Sequence, residues 1–330
     1  MLKIFLTTAF SALSFSTLLF CTLVFFDAGV AAPQDGAAGD TEPSSPFQIS
    51  VSLNLVVLPA TVLNKKGGFA ADLRQENFDV FEDNVRQTLR LFRSDDIPVT
   101  AGLVIDHSGS MQHKMPDVLT AADAFVRFSN PEDQMFVVNF NERVTLGLPP
   151  ATPFTDQATE LEAAIRRAPA SGETALYDAV DVALEKLKSG ERDKKVLVIV
   201  SDGGDNASAI DLRQILKKAE QTNALVYTIG IFEPNDPDQN PAVLKRLAHE
   251  SGGETFFPSK LSEIPGICEN IANEIRHQYT LGYVSTNSQP GGRRVIRVVA
   301  HAPGRDLIVR TRSGYIAGGG ATPAQKDEGK

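Results

Sequence analysis

The sequence predicts an α/β domain with a mostly parallel central sheet and helices on both faces, set between two β-rich flanks that form a small sandwich. Three observations carry this expectation. Between about Val99 and His277, short β-rich runs alternate with amphipathic helical stretches, the grammar of βαβ units and a sheet covered on both sides. Residues 46–95 instead alternate apolar and polar side chains with no helical period. Residues 278–316 return to that same alternation.

In the first flank, "QISVSLNLVVLPATVLN" reads as one half-buried strand ended by the turn "KKGG". "NFDVFED" and "RQTLRLF" follow as two strands of a hairpin around Asp83-Asn84. The middle segment, residues 96–277, supplies strands at "TAGLVI", "QMFVVNF", "KKVLVIV", "ALVYTIGI" and "GETFF". "RVTLGL" adds a short antiparallel edge. Helices are clearest in "ALYDAVDVALEKLKS", "DLRQILKKAEQT" and "SEIPGICENIANEIRH". In the last, Ile264, Ile267, Ile271 and Ile275 share one apolar face. The second flank reads as strands at "QYTLGYVS", "RRVIRVVAH" and "DLIVRTRSGYI". Neither flank has enough strands to stand alone, so each needs the other as its packing face. The α/β domain then becomes an insertion between the two halves of a sandwich.

The chain has 330 residues, 42% hydrophobic and 22% charged, enough for two ordinary domains with sizeable cores. Its formal net charge of -9 argues against nucleic acid, whose phosphates are neutralised by Lys and Arg. Lys3, an apolar stretch from Ile4 to Phe26 and the small-x-small site Gly29-Val30-Ala31 make residues 1–31 a secretory signal pattern. The stretch is also long enough to span a bilayer, so an uncleaved membrane anchor is the competing reading. Either way the expected location is secreted, periplasmic or at the cell envelope. Residues 32–45 form a polar, Gly- and Pro-containing linker, and residues 317–330 a loose tail. Cleavage removes Cys21 and leaves Cys268 alone, which excludes an internal disulfide and suits an apolar position in a helix core.

Function-bearing chemistry concentrates in three loops. In "GLVIDHSGSM", an apolar strand ends at Asp106 and runs into Ser108 and Ser110. In "VLVIVSDGGDN", Asp202 leaves another apolar strand, and in "SGETALYDAV", Thr174 opens a helix. Ligands of parallel sheets bind at the carboxyl ends of strands. Carboxylates and hydroxyls gathered there suit a hard divalent cation such as Mg²⁺ or Mn²⁺, with Ca²⁺ as an option. Zinc and copper prefer His and Cys. Asp106, His107 and Ser108 are adjacent on one loop and cannot reach the sequential geometry of a hydrolytic triad. With no other catalytic motif in the chain, no enzyme activity is expected.

The strings "DHSGS", "GETALYDA" and "SDGGDN" together resemble the metal-ion-dependent adhesion site of the von Willebrand factor A domain family. The flanks, "LRQENFDVFEDNVRQTLRLF" and "YTLGYVSTN" with "RRVIRVVAH" and "RSGYIA", resemble bacterial von Willebrand A-related proteins described from Acidobacteria. The resemblance implies a Rossmann-like von Willebrand A domain over residues 96–277 and an intact adhesion site. Ser108 and Ser110 would bind the metal directly, Asp106 and Asp202 directly or through water, and Thr174 according to ligand state. One coordination position would take an Asp or Glu of a protein partner. Around these residues, His107 is either a pH-sensitive neighbour of the metal or, the preferred reading, a solvated loop residue. Glu173 either adds negative charge to the site or, preferred, is an exposed carboxylate at a helix start. Asp178 is either support for the site or a plain helix residue. Asp205 and Asn206 either line the binding face or make a turn. The expected function is an exported, metal-dependent, adhesion-type protein-binding module. The alternative is a scaffolding envelope protein in which metal only stabilises the fold.

Overall fold

The computed structural model describes residues 55–232, 237–287 and 289–318. The expected leader, the linker, most of the tail and part of the acidic loop "EPNDPDQNP" lie outside these residues. Among the described residues no helix is long and apolar enough to cross a membrane.

The first flank contributes β1 (Leu55–Asn64), β2 (Phe78–Glu82), β3 (Val85–Gln87) and β4 (Leu89–Arg93). Asp83 and Asn84 both adopt positive φ, 48° and 66°, as a tight hairpin with the right twist requires. One expectation needs correction here. "RQTLRLF" is two strands, not one: β3 pairs with β2, whereas β4, beyond Thr88, belongs to a different sheet. The alternation of side chains runs on through Thr88, so the change of sheet leaves no mark on the pattern.

The central domain follows. Its strands are β5 (Val99–Asp106), β6 (Gln134–Phe140), β7 (Val144–Leu146), β8 (Lys194–Ser201), β9 (Ala224–Gly230) and β10 (Thr255–Phe256). Its helices are α1 (Met115–Phe128), α2 (Ala158–Ile165), α3 (Leu176–Lys188), α4 (Leu212–Gln221), α5 (Pro241–Ser251) and α6 (Ile264–Arg276). The sheet order is β10-β9-β8-β5-β6-β7, parallel except for β7, which runs antiparallel to β6. Every residue of β5 and β9 is buried, which is why these strands read as unbroken apolar runs. Gly102 is required at the middle of β5, because a Cβ there would lie 2.5 Å from Phe136 and 2.7 Å from Leu197. Three helices not singled out from the sequence are α1, α2 and α5. Yet α5 has the expected punctuation: Asn240 caps it, Pro241 opens it and Gly252 ends it at φ 88°. In α6, Ile264, Cys268, Ile271 and Ile275 are buried and Ile267 is partly so. Burial among these side chains pushes the Cys268 thiol up to about 12, so it stays a neutral apolar filler.

The second flank adds β11 (Tyr279–Val284), β12 (Arg293–Ala300), β13 (Leu307–Arg310) and β14 (Gly314–Ile316). "DLIVRTRSGYI" is likewise two strands, since β13 pairs with β1 while β14 pairs with β12. The flanks interleave. One sheet has the order β13-β1-β11-β4 and the other β14-β12-β2-β3, so each mixes strands from both ends of the chain. Their facing side chains, including Leu58, Val62, Phe78, Val80, Leu281 and Ile296, form a second core separate from that of the central domain.

A buried polar cluster joins the two cores. Glu274 of α6 accepts from Tyr227 Oη at 2.8 Å and from Thr61 Oγ1 at 2.9 Å. Its other oxygen pairs with the Arg310 guanidinium, which also reaches Glu254 at 2.5 Å. Gln278 donates to both Thr61 Oγ1 and Tyr227 Oη.

Candidate metal site at the carboxyl edge of the central sheet

β5 and β8 are neighbours, so their carboxyl ends emerge side by side. Asp106 is the last residue of β5 and Asp202 the first after β8. Both are buried, at 0% and 4% exposure. The loop after Asp106 is tied back by the Ser108 amide, which donates to Asp106 Oδ1 at 2.8 Å. Its other oxygen accepts from Ser201 Oγ at 2.6 Å. The Ser108 and Ser110 hydroxyls lie 3.2 Å apart, and Ser110 Oγ donates to Asp202 Oδ2 at 2.7 Å. Four predicted residues therefore form one linked group of oxygens.

Thr174 stands differently. Its loop closes on the first through the Gly109 amide, which donates to the Gly172 carbonyl at 3.2 Å. Its backbone is fixed by Asn206, whose side chain accepts from Thr174 N at 2.8 Å and whose amide donates to Thr174 O. Among the described residues the Thr174 hydroxyl makes no hydrogen bond to Asp106, Ser108, Ser110 or Asp202. Asp205 and Asp178 work on the same loop. Asp205 accepts from the Tyr177 amide and Ser208 Oγ, and Asp178 accepts from the Ala209 and Ile210 amides. Both carboxylates thus fasten the Asp202 loop to the start of α3. Glu173 is exposed, as expected.

His107 overturns its expectation. It is buried, at 1% exposure, with Nε2 3.1 Å from Asn139 Oδ1. The chain bonds across to β6 at this point, His107 N to Phe140 O, which carries the ring inward. Burial holds the imidazole below its ordinary range and so neutral, against the opposing pull of Asn139. Ser201 is the functional neighbour that sequence reasoning missed. Its place beside Asp202 at the end of an apolar strand was the available signal.

The electrostatics favour a cation. Burial pushes the Asp106 carboxyl up to about 6 against hydrogen bonds from Ser108 and Ser201, and the nearby Asp202 charge acts in the same direction as burial. Among the described residues no Lys, Arg or His pairs with Asp106 or Asp202. Nor do three His, Cys, Asp or Glu side chains converge as metal ligands among those residues. The donor set here is two carboxylates with hydroxyls, all hard oxygen, and it fits a hard divalent cation.

The von Willebrand factor type A domain family matches residues 102–270, just over half of the 330-residue chain, and that stretch spans all five site residues. The chain belongs to that family. The chain shares 24% identity over 204 residues with an uncharacterized protein of Synechocystis sp., covering 58% of this chain and 46% of that relative. The chain therefore spans less than half the length of the curated relative it matches. Among solved structures, a von Willebrand factor type A protein from Catenulispora acidiphila superposes with a TM-score of 0.49 at 14% identity, over 78% of this chain and 73% of that one. Proximal thread matrix protein 1 of the mussel byssus, solved with zinc in its metal-ion-dependent adhesion site, superposes with a TM-score of 0.46 at 17% identity, over 58% and 48%.

Proposed function

We propose that this protein is an exported protein-binding module that holds a divalent cation, Mg²⁺ or Mn²⁺ by donor chemistry with Ca²⁺ as an option, and takes an Asp or Glu of its partner as a further ligand. The observation that carries the reading is the pair of buried carboxylates, Asp106 and Asp202, joined through Ser108 and Ser110 with no Lys, Arg or His ion-paired to either among the described residues. Membership of the von Willebrand A family supports a metal-dependent interaction role. Export is supported by the leader pattern around Lys3 and Gly29-Val30-Ala31.

Asp106, Ser108, Ser110 and Asp202 would hold the ion, with Thr174 brought close by its loop. The ion supplies positive charge and an open position for an oxygen ligand. Two carboxylates leave the loaded site near neutral, so it can still attract a partner's carboxylate. Ser201 holds Asp106 in place, and the Asp178 and Asp205 bonds fix the loop that carries Asp202. No enzymatic role is proposed, since the chain carries no catalytic motif.

A thermal-shift titration with Mg²⁺, Mn²⁺ and Ca²⁺, run beside Asp106→Ala, tests the metal site. A saturable shift lost in the variant is expected, and no shift with any of the three ions overturns the reading. A partner captured from envelope extracts in Mg²⁺ and released by EDTA supports binding. The scaffolding alternative predicts metal-dependent stability with no such partner.

A further inference from the structure

The two sides of the candidate site's rim differ. On the β6–β7 side Glu142, Arg143 and Glu173 are exposed, and the Glu142 carboxylate packs so closely on Gly172 that a Cβ there would collide with it. On the β9–β10 side it carries two aromatic rings and the cations Lys245 and Arg246, with the exposed Asp238 close to the Asp202 loop. Phe232 and Phe257 pack with centroids 5.2 Å apart at 53°, over Gly230, where any Cβ would meet both rings at 2.6–2.7 Å. Gly230 lies directly opposite Ser201, the residue that holds Asp106. Lys245, exposed on α5, sits 5.3 Å from the Phe257 centroid and forms no ion pair among the described residues. Arg246 beside it is near enough to act on Tyr177 at the start of α3.

Phe257 is 38% exposed and is the only aromatic among the large exposed apolar side chains of the described residues. Phe232 packs against the central core, whereas Phe257 rests on Phe232 and faces out. Gly230 leaves room for two rings and so for an apolar platform beside a charged site, where solvation alone would favour polar side chains.

We propose that Phe232 and Phe257 form a specificity ledge for a partner segment whose metal-bound Asp or Glu is accompanied by an apolar side chain, with a further acidic group facing Lys245. This deepens the metal-dependent binding reading and rests on it. β9 is two strands from β5, so the ledge lies on the order of 10 Å from Asp106 at ~4.8 Å per strand. An extended segment rising ~3.3 Å per residue covers that span in two to four residues.

The test uses the full chain and a positional-scanning library of peptides with a fixed central Asp, in Mg²⁺ and in EDTA. Expected are Mg²⁺-dependent binding, enrichment of Leu, Ile, Phe or Tyr two to four residues to one side of the Asp, and acidic residues next to them. Phe257→Ser should weaken the best peptide about tenfold, and Lys245→Glu about threefold. Both variants should keep the Mg²⁺-induced thermal shift, which shows their fold and metal site intact. Mg²⁺-dependent binding with no flanking apolar preference, or with Phe257→Ser unchanged, overturns the ledge and leaves the metal reading standing. No Mg²⁺-dependent binding by any peptide overturns both.

Discussion

Two groups of buried carboxylates in this molecule are treated in opposite ways. Glu274, where the central domain meets the flanking sheets, has a guanidinium from Arg310 and hydrogen bonds from Tyr227 and Thr61. Asp106 and Asp202, at the carboxyl edge of the central sheet, have hydroxyl and amide donors and no protein cation among the described residues. A buried charge is tolerated when paired and costly when not. The first carboxylate therefore has its counter-charge within the protein, and its cluster holds two cores together. The second group is electrostatically incomplete, and that incompleteness marks it as a place for a charge from outside.

The comparison breaks most visibly at Arg310. Arg310→Ala strands Glu274 without its counter-charge and should destabilise the protein by roughly 3–5 kcal/mol in denaturant titrations, equally in Mg²⁺ and in EDTA. A loss seen only in EDTA would mean the two clusters are not independent.

Asp133 shows what burial does against opposing hydrogen bonds and a nearby cation. It sits at the opposite end of the sheet from Asp106, accepts from the Val99 and Asn130 amides, and is pushed up to about 6 by burial, with Lys194 opposing. Its folded value lies above its unfolded one, so its contribution is full below about pH 4 and is lost as pH rises through about 6. The stability advantage of wild type over Asp133→Asn should therefore shrink by roughly 2 kcal/mol between about pH 4.5 and 7.5. A pH-independent difference would show that Asp133 titrates like an exposed carboxylate.

At the metal site the sign differs from that at Arg310. Asp106→Ala removes an unbalanced buried charge, so in EDTA the variant should be at least as stable as wild type. The whole effect should lie in the metal response. For a Kd near ~100 μM, about 1 mM Mg²⁺ stabilises wild type by roughly 1.4 kcal/mol, or about 3–5 °C in Tm, and the variant not at all. Ser201→Ala, which deletes one hydrogen bond to Asp106, should cost about 1 kcal/mol and leave a weakened metal shift.

How much of this was legible follows from the range over which each feature is decided. Strands β5, β8 and β9 and the apolar face of α6 depend on local composition and period, and the sequence announces them. The loops of Asp106, Thr174 and Asp202 were legible because strand ends in parallel sheets have a fixed grammar. His107 was misread because its burial depends on Asn139, on a neighbouring strand. Thr88, where the chain changes sheets, carries no local sign. The Glu274–Arg310 pair joins a helix to an edge strand across two cores, and neither residue's neighbours announce the other.

The interleaving of the flanks has a consequence for biosynthesis. β1 emerges early but finds its partners only in β11 and β13, with Leu55 against Val284 and Thr61 against Arg310. The central domain lies wholly between them and can fold from contiguous chain. Through that interval β1 and β2 carry unpaired edges, the state in which strands are prone to join the wrong neighbour. The chain must extend past Arg310 before β1 has both of its neighbours, and a chain truncated after α6 would complete the metal site's scaffold while leaving those edges open.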